Sequence, residues 1–474
     1  MSLEQLKQGF TPKRTFSCNH TKIEVDGVFV RISDEEEHDW LIDREKGTIT
    51  LPTEDILQDP SVVRSARVST GRDTKAVDEK ATGMINSLWQ NKHATPFEGG
   101  VHFRLKITTP IMYAQPFFRI FASHNEFSGR YSKIDGQYYT PNTLGEEELK
   151  EFQQAEAEAQ ELYRKFSNLP PDGFGIANEM ARLVHLYRFY TKFYMTISLR
   201  HVMEFLTWEN FQGNRYVETE FDEIKSLLHQ ILETWTPWSS ESLKKTPNNI
   251  NFYWTKELAD RFRNPWQLPF LEIDKFLDKG EIRLLETYGK ENLMFACLDD
   301  FPNPLRGFGH GGMTFLMRIP IHVFRQWVRH RFGTTTELGF HFDDVVENNL
   351  FYIPTRFRKQ VGKPMQYQFE ECNDEENEKI RQEFINHTKR ACARYVRMRE
   401  NSVPDSLAGM ILPYCFYVPV VITYPVEALI NFLSLRLDIH AQAEIREPAK
   451  IILEMFRKYF PEVAFQSHNI YLPK

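Results

Sequence analysis

The sequence predicts an α+β fold of two tandem units, each a mixed sheet packed with helices. Three observations carry that expectation. The chain has 474 residues, enough to bury more than one core. A set of landmarks recurs once along it, in order. Within each set, apolar runs beside a proline alternate with longer charged segments whose apolar residues have helical spacing.

Residues 1–50 read as an N-terminal extension with strands, Lys22-Ile-Glu-Val and Thr48-Ile-Thr-Leu around an acidic loop. The first unit is expected over 51–233. Its apolar run Leu105-Lys-Ile-Thr-Thr-Pro110 answers Leu316-Met-Arg-Ile-Pro320, an offset of 210 residues from Pro110 to Pro320. Ser123-His-Asn-Glu126 answers Thr334-Thr-Thr-Glu337 at an offset of 211. Tyr138-Tyr-Thr-Pro141 and Phe351-Tyr-Ile-Pro354 then lead into charged helices. Their core positions are Leu149, Phe152, Leu162 and Phe166 in one, and Ile380, Phe384, Ala391 and Tyr395 in the other. Pro171-Asp172 and Pro404-Asp405 break those helices, and a final helical segment holds Val202-Met-Glu-Phe205 or Leu429-Ile-Asn-Phe432. The stretch 234–278, rich in Trp, Pro and Asn turn signals, reads as a connector, and the second unit is expected over 279–474.

Composition narrows the function classes. A net charge of -7 and a pI near 6.1 give no global positive field for a polyphosphate, so no nucleic-acid partner is expected. Five scattered cysteines, Cys18, Cys297, Cys372, Cys392 and Cys415, show no Cys-x-x-Cys pair or metal-ligand spacing and fit a reducing, cytoplasmic setting without a metal. The polar N-terminus does not read as a signal peptide. The most apolar stretch, Ile411 to Leu435, is interrupted by Pro413, Pro419, Pro425 and Glu427, so it reads as buried strand and helix, and no membrane span is expected.

His-Glu-x-x-His, Walker and Gly-x-Ser-x-Gly patterns are absent, which leaves two polar clusters in aromatic surroundings. The run Arg325-Gln-Trp-Val-Arg329-His330-Arg331 offers planar guanidinium forks suited to phosphate, or else a solvated helix face. The run from Ser123 to Ser132, with Glu126, Ser128, Gly129 and Arg130, offers close backbone approach and complementary hydrogen bonds to a polar ligand. Its plain alternative is a capped turn in which Arg130 pairs with Glu126.

Together these segments resemble the flavin-dependent thymidylate synthases, whose signature is Arg-His-Arg, seven residues, then Ser, with Asn-Glu and Arg-Tyr-Ser around that Ser. The resemblance spans most of both halves. It includes Ala66-Arg-Val-Ser69, His93-Ala-Thr95-Pro-Phe-Glu98, Asn125-Glu126-Phe-Ser128-Gly-Arg130-Tyr-Ser132 and Glu179-Met-Ala-Arg182 in the first half. In the second it includes Arg325 to Arg331, Phe351-Tyr-Ile-Pro354, Leu412-Pro413 and Asn431-Phe-Leu-Ser-Leu-Arg436 through Ala441-Gln-Ala-Glu-Ile-Arg446. Each half departs from the signature where the other keeps it. The first has Phe118-Arg119-Ile120-Phe121 where Arg-His-Arg is expected, Glu204 for a flavin-side Asn and Glu209 for a late Arg. The second has Gly339-Phe-His-Phe342 in place of Ser-Gly-Arg-Tyr, Gly409 where Arg182 stands in the first, and Pro425 for a flavin-side Asn.

What the resemblance implies is one class of pocket assembled from both halves, in a homodimer that makes a pseudo-tetramer. FAD would be held by Arg329, His330, Arg331 and Asn431 with Thr95 and Glu126, and dUMP by Gln326, Arg329, Glu126, Ser128, Gly129, Arg130 and Arg182. Arg436 would stabilise charge on the uracil ring; its plain alternative is a salt bridge with Asp438 or Glu444. The implied reaction is reductive methylation of dUMP to dTMP with methylenetetrahydrofolate and NADPH, without a cysteine nucleophile, and Cys415 reads as a core thiol. Two alternatives stay open: another flavin-dependent pyrimidine modification such as hydroxymethylation, and an inactive paralogue that binds nucleotide or serves assembly.

Overall fold

The computed structural model describes residues 14–28, 41–43, 48–50, 59–72, 77, 80–120, 122–130, 132–134, 136–207, 218–246, 265–298, 304–330, 332–361 and 368–468. The chain divides into two compact units, one of residues 1–127 with 190–253 and one of residues 128–189 with 254–474. The division does not follow the repeat: a 62-residue piece of the first half belongs to the same unit as the second half.

In the first unit the strands are β1 (Thr15–Ser17), β2 (Lys22–Val28), β3 (Leu41–Asp43), β4 (Thr48–Thr50), β5 (His102–Pro110), β6 (Ser123–Glu126) and β7 (Tyr190–Ser198). Five make a sheet in the order β1-β2-β5-β7-β6, while β3 and β4 pair separately. Along β5, Phe103, Leu105 and Ile107 alternate with more exposed neighbours, the period-two pattern of a sheet with one buried face. They stand opposite Ile197, Met195 and Phe193 of β7, all buried. Asp59, fully buried, opens the helix Asp59–Arg67 and accepts hydrogen bonds from the Trp238 and Ser239 amides at 2.7 and 3.1 Å, capping the short helix Pro237–Lys244.

The second unit repeats the sheet. Its strands are β8 (Glu272–Phe276), β9 (Gly280–Tyr288), β10 (Gly312–Pro320), β11 (Thr334–Glu337), β12 (Arg358–Val361), β13 (Gln368–Glu371) and β14 (Tyr417–Pro425), with sheet order β11-β14-β10-β9-β8 and a separate β12-β13 pair. The prolines that mark the repeat, Pro110 and Pro320, each end the central strand of their sheet, and the two Ser/Thr-x-x-Glu stretches are the edge strands β6 and β11. Strand β8 lies in the last residues of the stretch read as connector. The α+β expectation holds with one refinement. Every described pairing in both five-stranded sheets is antiparallel, because each apolar strand meets neighbours running back along it rather than a βαβ crossover.

Two long helices, Glu146–Ser167 and Asp374–Glu400, explain the placement of 128–189. Phe166 stacks on Phe384 with ring centroids 6.4 Å apart, and both are fully buried. Around that seam Glu158 takes Arg390 at 2.9 Å and Arg394, and Glu151 takes Arg397 at 2.8 Å. The predicted core positions Phe152, Leu162, Phe166, Ile380, Phe384, Ala391 and Tyr395 are buried, while Leu149 is half-exposed. Asn373 caps the second helix by accepting from the Glu376 amide at 2.9 Å.

Candidate active site

The second unit brings residues of both halves into one polar network. From the first half come Ser128, Gly129, Arg130, Glu179 and Arg182; from the second come Gln326, His330, Arg358, Arg436, His440, Gln442 and Glu444. The turn after β6 carries Ser128, whose hydroxyl accepts from the Arg130 amide at 3.4 Å. Gly129 is buried, and a Cβ there would meet Ile134 at 3.0 Å and the Arg182 side chain at 3.5 Å, so a larger residue would have to displace the Ile134 side chain.

Arg130 pairs with Glu179 at 2.7 Å and donates to the His440 carbonyl at 2.6 Å. Its described carboxylate partner is Glu179. Glu126 sits on β6 in the first unit, where it accepts from the Thr191 hydroxyl at 2.8 Å. Glu179 is also bound by Arg358 at 3.1 Å, and Arg358 reaches Glu444 at 3.3 Å. Burial holds the Glu179 carboxyl above its usual range, and nearby Glu444 pushes the same way, against the pull of Arg130, Arg358 and Arg182.

Gln442 joins the halves. Its amide oxygen accepts from Arg182 at 3.3 Å and from Gln326 at 2.7 Å. Gln326 lies on the helix Ile321–Trp327, whose start is fixed by Pro320, and its carbonyl accepts from Arg436 at 3.2 Å. Arg436, at the end of the helix Val426–Arg436, also donates to His330 Nε2 at 2.8 Å, so its described bonds go to His330 and Gln326 rather than to Asp438 or Glu444. That bond requires a neutral His330, and burial, then Arg436, push its pKa down to about 3. Asp438 instead holds His440 at 2.8 Å.

The helices carrying these residues are fixed by aromatic packing, with Trp327 stacked on Phe432 at 4.4 Å and His330 edge-on to Phe432 at 5.0 Å. This places Arg329 and Asn431, both exposed, on neighbouring segments. His322, fully buried on the same helix as Gln326, has no hydrogen-bond partner for either ring nitrogen among the described contacts. Burial, and then Arg182, hold its pKa well below the usual histidine value.

The positions where the signature is lost are filled with aromatic rings. Phe342 is fully buried with its ring 5.3 Å from Phe340 and 5.3 Å from Phe416, and a Cβ added at Gly409 would collide with it. A second arginine could not stand where Phe342 packs. In the first unit Phe118 is buried against His124 at 4.9 Å and Phe193 at 5.0 Å, and Glu204 is engaged by Arg200 at 2.8 Å. Thr95 is exposed at the start of the helix Thr95–Gly100, in the same unit. Phe121, Tyr131, Glu209 and Arg331 lie outside the described residues.

Glu179, Arg358, Gln442 and Glu444 were not singled out as site residues by the sequence. The available signal was the Glu179-Met-Ala-Arg182 spacing, which sets a carboxylate and a guanidinium on one helical turn, and Gln442 inside the motif that follows Arg436. Arg358 carries no local signal, since its partners are far away in sequence. As a set, the arginines around Glu179 and Glu444 outnumber the carboxylates, and the excess donors suit a ligand with anionic oxygens. The donor set at Arg329 and Asn431 suits the phosphates and polar ring edges of a larger cofactor.

The chain is similar to known proteins. A family model described as "Thymidylate synthase complementing protein", Thy1, matches residues 55–238 and 300–462. The flavin-dependent thymidylate synthase of Thermotoga neapolitana is 31% identical over 197 residues, which is 40% of this chain and 86% of that protein. That of Thermosipho africanus is 30% identical over 210 residues, 40% of this chain and 90% of its own length. Among solved structures, the UMP/dUMP methylase PolB of Streptomyces cacaoi, bound with 5-Br dUMP, aligns with a TM-score of 0.34 at 23% identity, covering 40% of this chain and 92% of that one. No helix among the described residues is long and apolar enough to cross a membrane. With the family model matched on two successive segments that make up most of its length, the chain belongs to the Thy1 family and carries that family's domain in tandem.

Proposed function

We propose that the chain is a flavin-dependent thymidylate synthase-like enzyme that reductively methylates dUMP to dTMP, at a site both halves build. The observation that supports this most is the Gln442 amide oxygen, which accepts from Arg182 of the first half and Gln326 of the second. In this reading Arg130 and Arg182 bind the dUMP phosphate, with Ser128 and the backbone at Gly129 closing around it and Gln326 and Arg329 completing the nucleotide contacts. Glu179 holds the Arg130 guanidinium in place through the 2.7 Å pair. Arg329, His330, Arg331 and Asn431 would hold FAD, with Thr95 and Glu126 as further cofactor contacts. Methylenetetrahydrofolate gives the one-carbon group and NADPH the reducing equivalents, and bound FAD mediates the transfer between them and the nucleotide.

Arg436 serves as a fixed cation against the pyrimidine ring, its direction set by His330 Nε2 and the Gln326 carbonyl. A preorganised charge of this kind stabilises negative charge as it develops on the ring. The chain works as a homodimer of four units with two working sites. The test is to incubate the purified protein with dUMP, methylenetetrahydrofolate and NADPH and weigh the nucleotide product. A net mass gain of one CH2, a ring hydrogen replaced by methyl, is expected; a hydroxymethyl product or unchanged dUMP rejects the reading.

A further inference from the structure

Within the first unit, the turn between β1 and β2 faces the helix Glu218–Trp235. Cys18 Sγ lies 3.6 Å from His20 Nε2, and the same nitrogen lies 3.4 Å from Glu223 Oε2. All three donor atoms fall within 4.8 Å of one another. A tetrahedral zinc ion with bonds of about 2.3 Å to sulfur and about 2.0–2.1 Å to nitrogen and oxygen has sulfur-to-nitrogen and nitrogen-to-oxygen edges of about 3.6 and about 3.4 Å. The two observed separations match those edges, and the third, between Cys18 Sγ and the Glu223 carboxylate, lies within 4.8 Å.

The surroundings are those of a built site. His20 is fully buried, and its Nδ1 is 2.7 Å from the Thr21 hydroxyl, which is 2.7 Å from the Thr109 hydroxyl. A ring that donates from Nδ1 turns the Nε2 lone pair toward Cys18 and Glu223, as the outer partners of zinc-binding histidines do. Tyr113 packs on the imidazole with centroids 4.7 Å apart. The Glu223 Oε2 atom is buried and has no hydrogen-bond partner among the described contacts. The Glu220 carbonyl, one turn earlier on the helix, also faces the His20 ring.

We infer that Cys18, His20 and Glu223 bind a divalent transition-metal ion of the zinc class, with water or the Glu220 carbonyl in the fourth position. One thiolate, one imidazole and one carboxylate form the mixed N/S/O set that zinc accepts and calcium or magnesium does not. On binding, the Cys18 thiol releases its proton to solvent, and the metal–sulfur bond forms without any change of oxidation state. The ion ties the N-terminal hairpin to the helix Glu218–Trp235. The sequence hides this site because its third donor is about 200 residues from the Cys-x-His pair.

The test uses the full-length protein, stripped with chelator and titrated with cobalt(II) alone. One cobalt per chain is expected, with the d–d bands of a tetrahedral ion and a thiolate-to-cobalt charge-transfer band. One equivalent of zinc should abolish both. Cys18→Ser should lose the charge-transfer band, and Thr21→Val should weaken zinc binding by roughly 10–100-fold through the lost outer partner. Absence of the charge-transfer band in the wild-type protein at excess cobalt, or its persistence in Cys18→Ser, would overturn the assignment. The wild-type titration decides the matter even if a variant fails to fold. Its result is also independent of dUMP turnover, because none of these residues belongs to the proposed nucleotide or flavin site.

Discussion

Replacing Arg358 with methionine isolates what holds the proposed nucleotide site together. Arg358 bridges Glu179 at 3.1 Å and Glu444 at 3.3 Å, and those two side chains are only 2% and 3% exposed. Methionine keeps most of the side-chain volume and removes the charge, leaving two buried carboxylates to repel each other. Breaking a buried ion pair from one side costs about 3–5 kcal/mol, and since Glu179 keeps Arg130 at 2.7 Å, Glu444 bears most of that loss. Urea denaturation should therefore show a midpoint lowered by about 1 M or more. The loss should also depend on pH with a definite sign. Glu179 already titrates above the usual carboxyl range because of burial, and removal of a neighbouring cation raises it further. A raised folded-state value means stability is fully present below the unfolded carboxyl value and declines as pH rises through the folded one. The deficit of Arg358→Met should thus be larger at pH 8 than at pH 5. A loss below about 1 kcal/mol, or one that is the same at both pH values, would refute the claim that Arg358 neutralises this carboxylate pair.

Arg130→Ala should abolish dUMP binding while flavin is retained, and Arg331→Ala should do the reverse, as read by equilibrium dialysis and the flavin spectrum; loss of both ligands from both variants would contradict the split. Asp59→Ala should destabilise the first unit by about 2–3 kcal/mol by uncapping the Trp238 and Ser239 amides, measured by thermal unfolding. Burial raises the Asp59 pKa to about 6, so its own contribution should weaken as pH rises through that value. Acidification should unfold the second unit steeply. Burial drives His185 and His330 down to about 3, His387 to about 4 and His322 well below its usual value, so below about pH 6.5 only the unfolded chain takes up these protons. Each group contributes about 1.4 kcal/mol per pH unit, and a denaturation midpoint that stays flat between pH 6.5 and 4.5 would contradict the burial of all four.

The sequence made the repeat legible because its landmarks sit on backbone constraints. Pro110 and Pro320 cannot donate a ladder hydrogen bond, and each closes a central strand. Phe166 and Phe384 were readable as core from helical spacing alone. What spacing could not show was which half each piece packs with. That residues 128–189 join the second half is a consequence of long-range contacts such as Phe166 on Phe384 and Glu158 with Arg394. The site shows the same limit. Arg130, Arg182, Gln326 and Arg436 were identified from motif resemblance, but the partners that orient them, Glu179, Arg358 and Gln442, are set by tertiary geometry. Arg130 pairs with Glu179, 49 residues away, a partner that local spacing could not show. The departures at Gly339–Phe342 and Gly409 were visible in the sequence; that Phe342 packs over Gly409 was not.

The most direct test of the central claim, that one reaction site is built from both halves of this chain, is NADPH oxidation by the pure flavin-loaded protein. The account predicts NADPH consumption that depends on both dUMP and methylenetetrahydrofolate, and that is lost equally when Arg182 of the first half or Arg436 of the second is replaced by alanine. Oxidation indifferent to dUMP, or full dUMP-dependent turnover in either variant, would contradict it.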